Sequence, residues 1–342
     1  MLAAYYDKHG SYENIKFGNF DIPEINDNEV LVKIKAFSLN HLDIWVMEGK
    51  YPIKIPMPHI FASDASGVVE KVGKDVKNVK EGDEVIVYPG LSCGYCEKCL
   101  SGKDNECNQF RVLGVIDNGV SAEYVKVPFQ NVYKKPQGLT FEEAAGIGIT
   151  YTTMWHAIVS RGKVQQGDFI LIHGGSSGVG TAGIQIAKLF NAKVITTVGD
   201  DWKIDKVKEI GADFVINYNK EDFVEKVKEI TNGQLCDVVI DHIGSKTFNG
   251  SLDCGNKGSR VITFGTTTGA QADINLRKVF GKNQTIHGVY MGTKGEVFRY
   301  LKLFPEKLKT VVDSIYDFKD IKKAYDKLLS RKFVGKIVVK IN

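Results

Sequence analysis

A short apolar run, Phe169-Ile170-Leu171-Ile172-His173, leads directly into a glycine-rich turn, Gly174-Gly175-Ser176-Ser177-Gly178-Val179-Gly180. The run has the length and composition of a buried parallel strand. After the turn, Thr181 to Phe190 is apolar at helical spacing, and Lys193 to Val198 reads as a second strand. Strand, glycine turn, helix and strand make the βαβ unit that binds a dinucleotide. Gly175, Gly178 and Gly180 suit its three needs: a tight turn, close approach of backbone to pyrophosphate, and close helix–strand packing. Ser176, Ser177 and Val179 complete the turn, whose helix N-terminus would face the phosphates with free N–H groups. The alternative is a turn that only packs a helix on a sheet.

Further along, Phe214–Ile216, Val238–Asp241 and Arg260–Phe264 read as strands, with a helix over Phe223–Ile230. This alternation predicts an α/β fold with a doubly wound parallel sheet. The first 130 or so residues differ. Val30–Ala36 alternates, and Ser66–Gly73 and Asp83–Tyr88 are short strands bounded by turn residues, so this part is β-rich. Thr140 is a helix cap ahead of Phe141–Ala145, and Lys336–Lys340 is a strand that would rejoin the first domain. A chain of 342 residues is long enough for two domains.

Cys93, Cys96, Cys99 and Cys107 are spaced C-x2-C-x2-C-x7-C. Four thiolates can close a tetrahedron round Zn2+ and leave no open position, which makes the site structural. Free thiols or an iron–sulfur cluster are the alternatives. Cys236 and Cys254 stand alone and read as buried small hydrophobes. The cysteine usage suits a reduced compartment, and the N-terminus lacks the order of a signal peptide, so a cytoplasmic location is expected. The net charge of +4 is small and no basic cluster interleaves with aromatics, which argues against a nucleic-acid partner. No apolar run approaches the ~20 residues that span a bilayer.

With Gly82-Asp83-Glu84-Val85, Gly211-Ala212-Asp213 and Gly258-Ser259-Arg260-Val261 added, the chain resembles the medium-chain dehydrogenase/reductases, the zinc alcohol dehydrogenase superfamily. The resemblance implies a GroES-like catalytic domain of residues 1–130 with 291–342, including a zinc lobe at 91–108. It implies a Rossmann domain over 131–290, one structural zinc, a small-molecule substrate, and a homodimer or homotetramer.

The resemblance breaks at the catalytic zinc. Alcohol-oxidising members carry Cys, His and Cys where this chain has Asn40, Ser63 and Ile149, and Leu42 stands where they relay the alcohol proton. Asn, Ser and Ile do not replace thiolate and imidazole around zinc. Asp43, His59 and Asp64 are the remaining metal candidates, with His59 reading as a packed or surface histidine. Asn40-x-x-Asp43 followed by Gly49-Lys50-Tyr51-Pro52 resembles instead the quinone oxidoreductase and enoyl reductase branch. That branch implies Tyr51 as proton donor and Asn40 as orienting the acceptor or the nicotinamide ribose, with Asp43 fixing the loop. It also implies that Gly199, Lys203 and Tyr218 surround a 2′-phosphate, where NAD-preferring members place an acid at the Val198 position. NADP(H) is thus expected over NAD(H), with nicotinamide contacts near His242-Ile243-Gly244 and Phe264-Gly265-Thr266. The expected activity is hydride transfer to a quinone or activated C=C without catalytic zinc. An alcohol or aldehyde dehydrogenase with an atypical metal site, and a nucleotide-binding protein without turnover, are the alternatives.

Overall fold

The strand Phe169–Ile172 is buried along its whole length and sits near the middle of a six-stranded parallel sheet. The computed structural model describes residues 1–51 and 54–341. The strand order of this sheet is Phe214–Asn217, Lys193–Val198, Phe169–Ile172, Cys236–Asp241, Gly255–Thr263, Thr285–Gly288. In chain order that is 3-2-1-4-5-6, the doubly wound order whose reversal point lies beside the first strand. Leu171 pairs in register with Ile195 on one side and Val239 on the other. These residues join Ile216, Leu252 and Val261 in one core, with Cys236 and Cys254 packed among them as expected. Each such aliphatic side chain contributes roughly 1.5–3 kcal/mol by leaving water.

The helix after the first strand runs Gly178–Leu189, starting three residues earlier than its apolar spacing suggests. Ser177 is the reason. Its hydroxyl accepts from the Gly180 N–H at 3.0 Å and caps the helix inside the glycine turn. A Cβ on Gly180 would lie 2.2 Å from the Gly174 carbonyl oxygen, so the close approach there requires glycine.

The chain forms two units, residues 1–149 with 293–342 and residues 150–292. The first join therefore falls near 150, beyond the expected 130, and the second close to the expected 290. The helix Phe141–Ala145, capped by Thr140, explains the shift: Ser66 on a strand of the first unit donates to the Phe141 carbonyl at 2.5 Å.

The first unit is built on the long strand Glu29–Ser38, which pairs antiparallel with Asp64–Val72, Tyr124–Pro128 and the C-terminal strand Lys336–Lys340. Val32, Ile34, Phe37, Val85, Val87 and Val339 fill its core. The last strand brings Val338 opposite Ser38, which sets Lys336 beside residues 38–40. Among the described residues, no helix is long and apolar enough to cross a membrane.

Candidate functional site

Two groups of residues in different units, and one loop, are the candidates for function. In the second unit the glycine turn is held by a buried polar relay. Asp241 accepts from Ser251 Oγ at 2.6 Å, and Ser251 Oγ lies 3.0 Å from His173 Nε2. His173 Nδ1 lies 3.2 Å from Thr197 Oγ1, which also accepts the Gly174 N–H at 3.1 Å. A carboxylate only accepts, so Ser251 spends its one hydrogen on Asp241. His173 must then donate from Nε2 and accept at Nδ1 from the Thr197 hydroxyl. Burial pushes the His173 imidazole down to about 4, so the ring is neutral. Burial raises the Asp241 carboxyl, but His173, Ser251 and the Gly244 N–H outweigh it and hold the group below the ordinary carboxylate range.

At the end of the second strand, two of the three residues expected around a 2′-phosphate, Gly199 and Tyr218, lie close together. A Cβ on Gly199 would lie 2.6 Å from the Tyr218 hydroxyl oxygen. Lys203 is buried, with Nζ 3.6 Å from an Asp200 oxygen and over the Trp202 ring. Asp201 turns to Asn217 and Lys220 instead. His242 donates from Nε2 to the His173 carbonyl at 2.8 Å and stacks on Phe264, with ring centroids 5.5 Å apart. A Cβ on Gly265 would meet the His242 carbonyl oxygen at 2.6 Å. The turn, its helix N-terminus and these strand ends suit a dinucleotide: glycine where backbone must come close, and N–H groups at the helix start.

The four loop cysteines are gathered. Consecutive Sγ–Sγ separations of 3.8, 3.6, 3.8 and 3.6 Å link Cys93–Cys99, Cys99–Cys96, Cys96–Cys107 and Cys107–Cys93. A tetrahedron with Zn–S of about 2.3 Å has edges of about 3.8 Å, so the set fits zinc. The Tyr95 and Cys96 N–H groups draw the Cys93 thiol down to about 6, while burial pushes Cys99 up to about 11. Asp104 ties the lobe to the helix Lys294–Leu301 by accepting the Lys294 N–H at 3.1 Å. Among the described residues this is the one group of three or more His, Cys, Asp or Glu side chains placed to hold a metal. His59 is a packed histidine, its Nε2 donating to the Gly114 carbonyl at 3.0 Å.

The third group lies where the resemblance puts the catalytic zinc, and it contains an ammonium. Asn40 Nδ2 donates to Asp64 Oδ2 at 2.9 Å. Lys336 Nζ donates to Asn40 Oδ1 at 2.7 Å and to the Leu39 carbonyl at 3.0 Å, and lies 3.3 Å from Asp64 Oδ2. The other Asp64 oxygen accepts the Ile149 N–H at 2.6 Å. Lys336 is 4% exposed and Asp64 0%. This donor set does not fit zinc, because its carboxylate is already spent on a lysine and a backbone N–H.

Asn40 opens the helix His41–Met47, and Asp43 accepts the Asn40 N–H at 2.8 Å. Burial pushes the Asp43 carboxyl up to about 7, with the Asn40 N–H opposing. Asp43 thus holds the first turn of this helix to Asn40. Tyr51 is half-buried just after this helix, and Pro52 lies outside the described residues. Lys336 and the His173 relay escaped the sequence reading. The only signal for Lys336 was a lysine at the head of a strand whose middle, Ile337–Val339, is apolar.

Comparison with known proteins agrees with this architecture. Residues 26–137 match the alcohol dehydrogenase GroES-like domain, and residues 178–306 match the zinc-binding dehydrogenase family. A zinc-type alcohol dehydrogenase-like protein of Schizosaccharomyces pombe is 30% identical over 98% of each chain. The quinone oxidoreductase of Sus scrofa is 30% identical over 99% of this chain and 97% of its own. A solved NAD-dependent alcohol dehydrogenase superposes with a TM-score of 0.96 at 38% identity, covering 100% of both chains. The Rossmann sheet, the β-rich partner unit, the cysteine lobe and these matches together make the chain an oxidoreductase of the medium-chain dehydrogenase/reductase superfamily.

Proposed function

We propose that the chain is an NAD(P)H-dependent reductase passing hydride to a quinone or an activated C=C, with its one zinc structural. The carrying observation is the Asn40–Asp64–Lys336 group: its carboxylate faces a lysine, and among the described residues no group of three or more His, Cys, Asp or Glu side chains gathers there to hold a metal. Oxidising a simple alcohol requires its proton to leave, and zinc ordinarily makes that possible by acidifying the bound oxygen. Asn40, Ser63, Ile149 and Leu42 offer no such help. A quinone or enone accepts hydride into its own conjugation and needs only a later proton. The similarity to a quinone oxidoreductase supports the same reading.

Bound nicotinamide supplies the hydride. The glycine turn holds the pyrophosphate, and His242 with Phe264 is offered as the nicotinamide contact. Lys203, a few residues after Gly199, favours NADP(H) by meeting a 2′-phosphate as a point charge. Tyr51 is the proposed proton donor. No disulfide joins any of the six cysteines, which supports a reduced, cytoplasmic setting. Exposed Leu276, Phe280 and Ile286, on and beside the edge strand Thr285–Gly288, support a homodimer.

The similarity to an alcohol dehydrogenase favours a second reading, with a metal at ligands other than those named. Metal content and a substrate panel separate them. We expect about one zinc per chain, NADPH oxidation by quinones or enones, and negligible ethanol or benzyl alcohol oxidation even with added zinc. Zinc-stimulated alcohol oxidation with about two zinc per chain would overturn the proposal. Tight NADPH binding with no turnover of any acceptor would do so too, in favour of a non-catalytic nucleotide-binding protein.

A further inference from the structure

The Asn40 carboxamide can be oriented without ambiguity. A lysine ammonium only donates, so the atom 2.7 Å from Lys336 Nζ is the oxygen. A carboxylate only accepts, so the atom 2.9 Å from Asp64 Oδ2 is the nitrogen. One Nδ2 hydrogen is thus used. The other meets no acceptor among the described residues, and Asn40 is half-buried rather than sealed.

Lys336 has no such freedom. Its three hydrogens face the Leu39 carbonyl, Asn40 Oδ1 and Asp64 Oδ2. It has no hydrogen left for a substrate, so any influence on one passes through Asn40. An ammonium on the amide oxygen draws electrons from the nitrogen and strengthens its remaining N–H as a donor. Asp64, held by the Ile149 N–H, stops the amide from rotating.

We propose that Lys336 is a positioning residue that turns Asn40 into a preorganised, charge-assisted donor to the oxygen of a conjugated acceptor. The proposal rests on the reductase reading above. Hydride from NAD(P)H adds to the β-carbon of an enone, and the C=C electron pair shifts toward the carbonyl oxygen. The resulting enolate then takes a proton from Tyr51 or water, and the cofactor leaves oxidised. The free Asn40 N–H meets the oxygen as its charge grows, which is the place where a fixed donor accelerates reaction most. An acceptor without a conjugated oxygen gains nothing from it.

The test uses the zinc-replete enzyme and a simple enone. Asn40→Ala should lower kcat by about 10²–10³ while the NADPH KM stays within about twofold, since the lost interaction is made in the transition state. Lys336→Met should lower kcat in the wild-type background and have no further effect in the Asn40→Ala background. Lys336→Arg should recover much of the loss. If Lys336→Met slows both backgrounds equally, Lys336 does not act through Asn40 and the proposal fails. If folded Lys336→Met keeps wild-type kcat, it fails as well.

A second readout needs no turnover. In the wild type the Asn40 Nδ2 proton that faces Asp64 should be shifted downfield by NMR and protected from exchange with water, and in Lys336→Arg it should stay so. Should Lys336→Met not fold, Asn40→Ala with this spectrum still decides the matter: wild-type Asn40 amide protons with the shifts and fast exchange of an exposed asparagine overturn the proposal. A wild type that reduces no enone or quinone but shows the locked amide would sink the reductase reading and leave the geometry of Asn40 standing.

Discussion

The cysteine lobe and the Asp64–Lys336 group solve the same problem in opposite ways. Each gathers electron-rich atoms that cannot stay together without a positive charge. The lobe draws its four sulfurs from a stretch of fifteen residues, Cys93 to Cys107, and fits an exchangeable divalent cation. The other group uses a monovalent cation carried on the chain itself, from 272 residues away in sequence. A borrowed cation can be lost to a chelator or to acid, whereas a tethered one leaves only when the strand that carries it unpairs. On the proposed function the contrast separates two roles: an ion would supply folding energy at the lobe, and the polypeptide would supply the charge at the proposed reaction centre.

The largest effect should come from breaking the lobe. Cys99→Ser removes one of four ligands, and structural zinc contributes roughly 10–16 kcal/mol in isolated finger peptides. Zinc content and thermal stability should fall together, with little change in hydride transfer by molecules that stay folded. A zinc-replete variant of full stability would equate the lobe with an ordinary loop. A smaller effect is expected at the tethered cation. Lys336→Met leaves Asp64 buried beside an apolar side chain and should cost about 3–5 kcal/mol. Asp64→Asn introduced with it should recover a good part of that loss, as denaturant unfolding of both variants would reveal. Additive losses in the double variant would mean the pair is not coupled.

The smallest effect, when read at about pH 5, concerns Asp43, next to the same group. Its folded value, raised to about 7, exceeds that of an unfolded carboxyl at about 3.9, so folding takes up a proton between those limits. The native state binds more protons there, and wild-type stability attributable to Asp43 falls as pH rises from about 4 to about 7. Asp43→Asn replaces a neutral carboxyl by a neutral amide at about pH 5 and should change stability by under about 1 kcal/mol there. The variant should gain on the wild type as pH approaches 7. A difference that is flat across that range would mean that Asp43 is ionised throughout.

How far each region could be read from sequence follows the same contrast. The cysteine spacing and the glycine turn are local patterns, and each lies within about fifteen residues. The parallel sheet was legible because its inner strands, such as Phe169–Ile172, are buried and apolar along their length. Asn40 was legible as a departure from a family pattern, but its partners were not. Lys336 reaches it only because the last strand pairs with Glu29–Ser38, and no local pattern encodes that pairing. His173 was read merely as the end of a strand, since Thr197, Ser251 and Asp241 come from three other elements. The early helix start escaped for a simpler reason: apolar spacing does not register glycines, and Ser177 caps from within the turn.

The relay behind the glycine turn has a sense, as a current does. Thr197 points to His173, His173 to Ser251, and Ser251 to Asp241. Reversing one bond obliges its neighbours to reverse, or leaves two hydrogens or two lone pairs facing each other. At the far end the carboxylate has no hydrogen to return, so reversal is closed. The ends of three strands are thereby latched together, and the Gly174 amide at the head of the latch exchanges with solvent only when that end of the sheet opens. Slow exchange at a single glycine would then time the opening of the surface on which a dinucleotide rests.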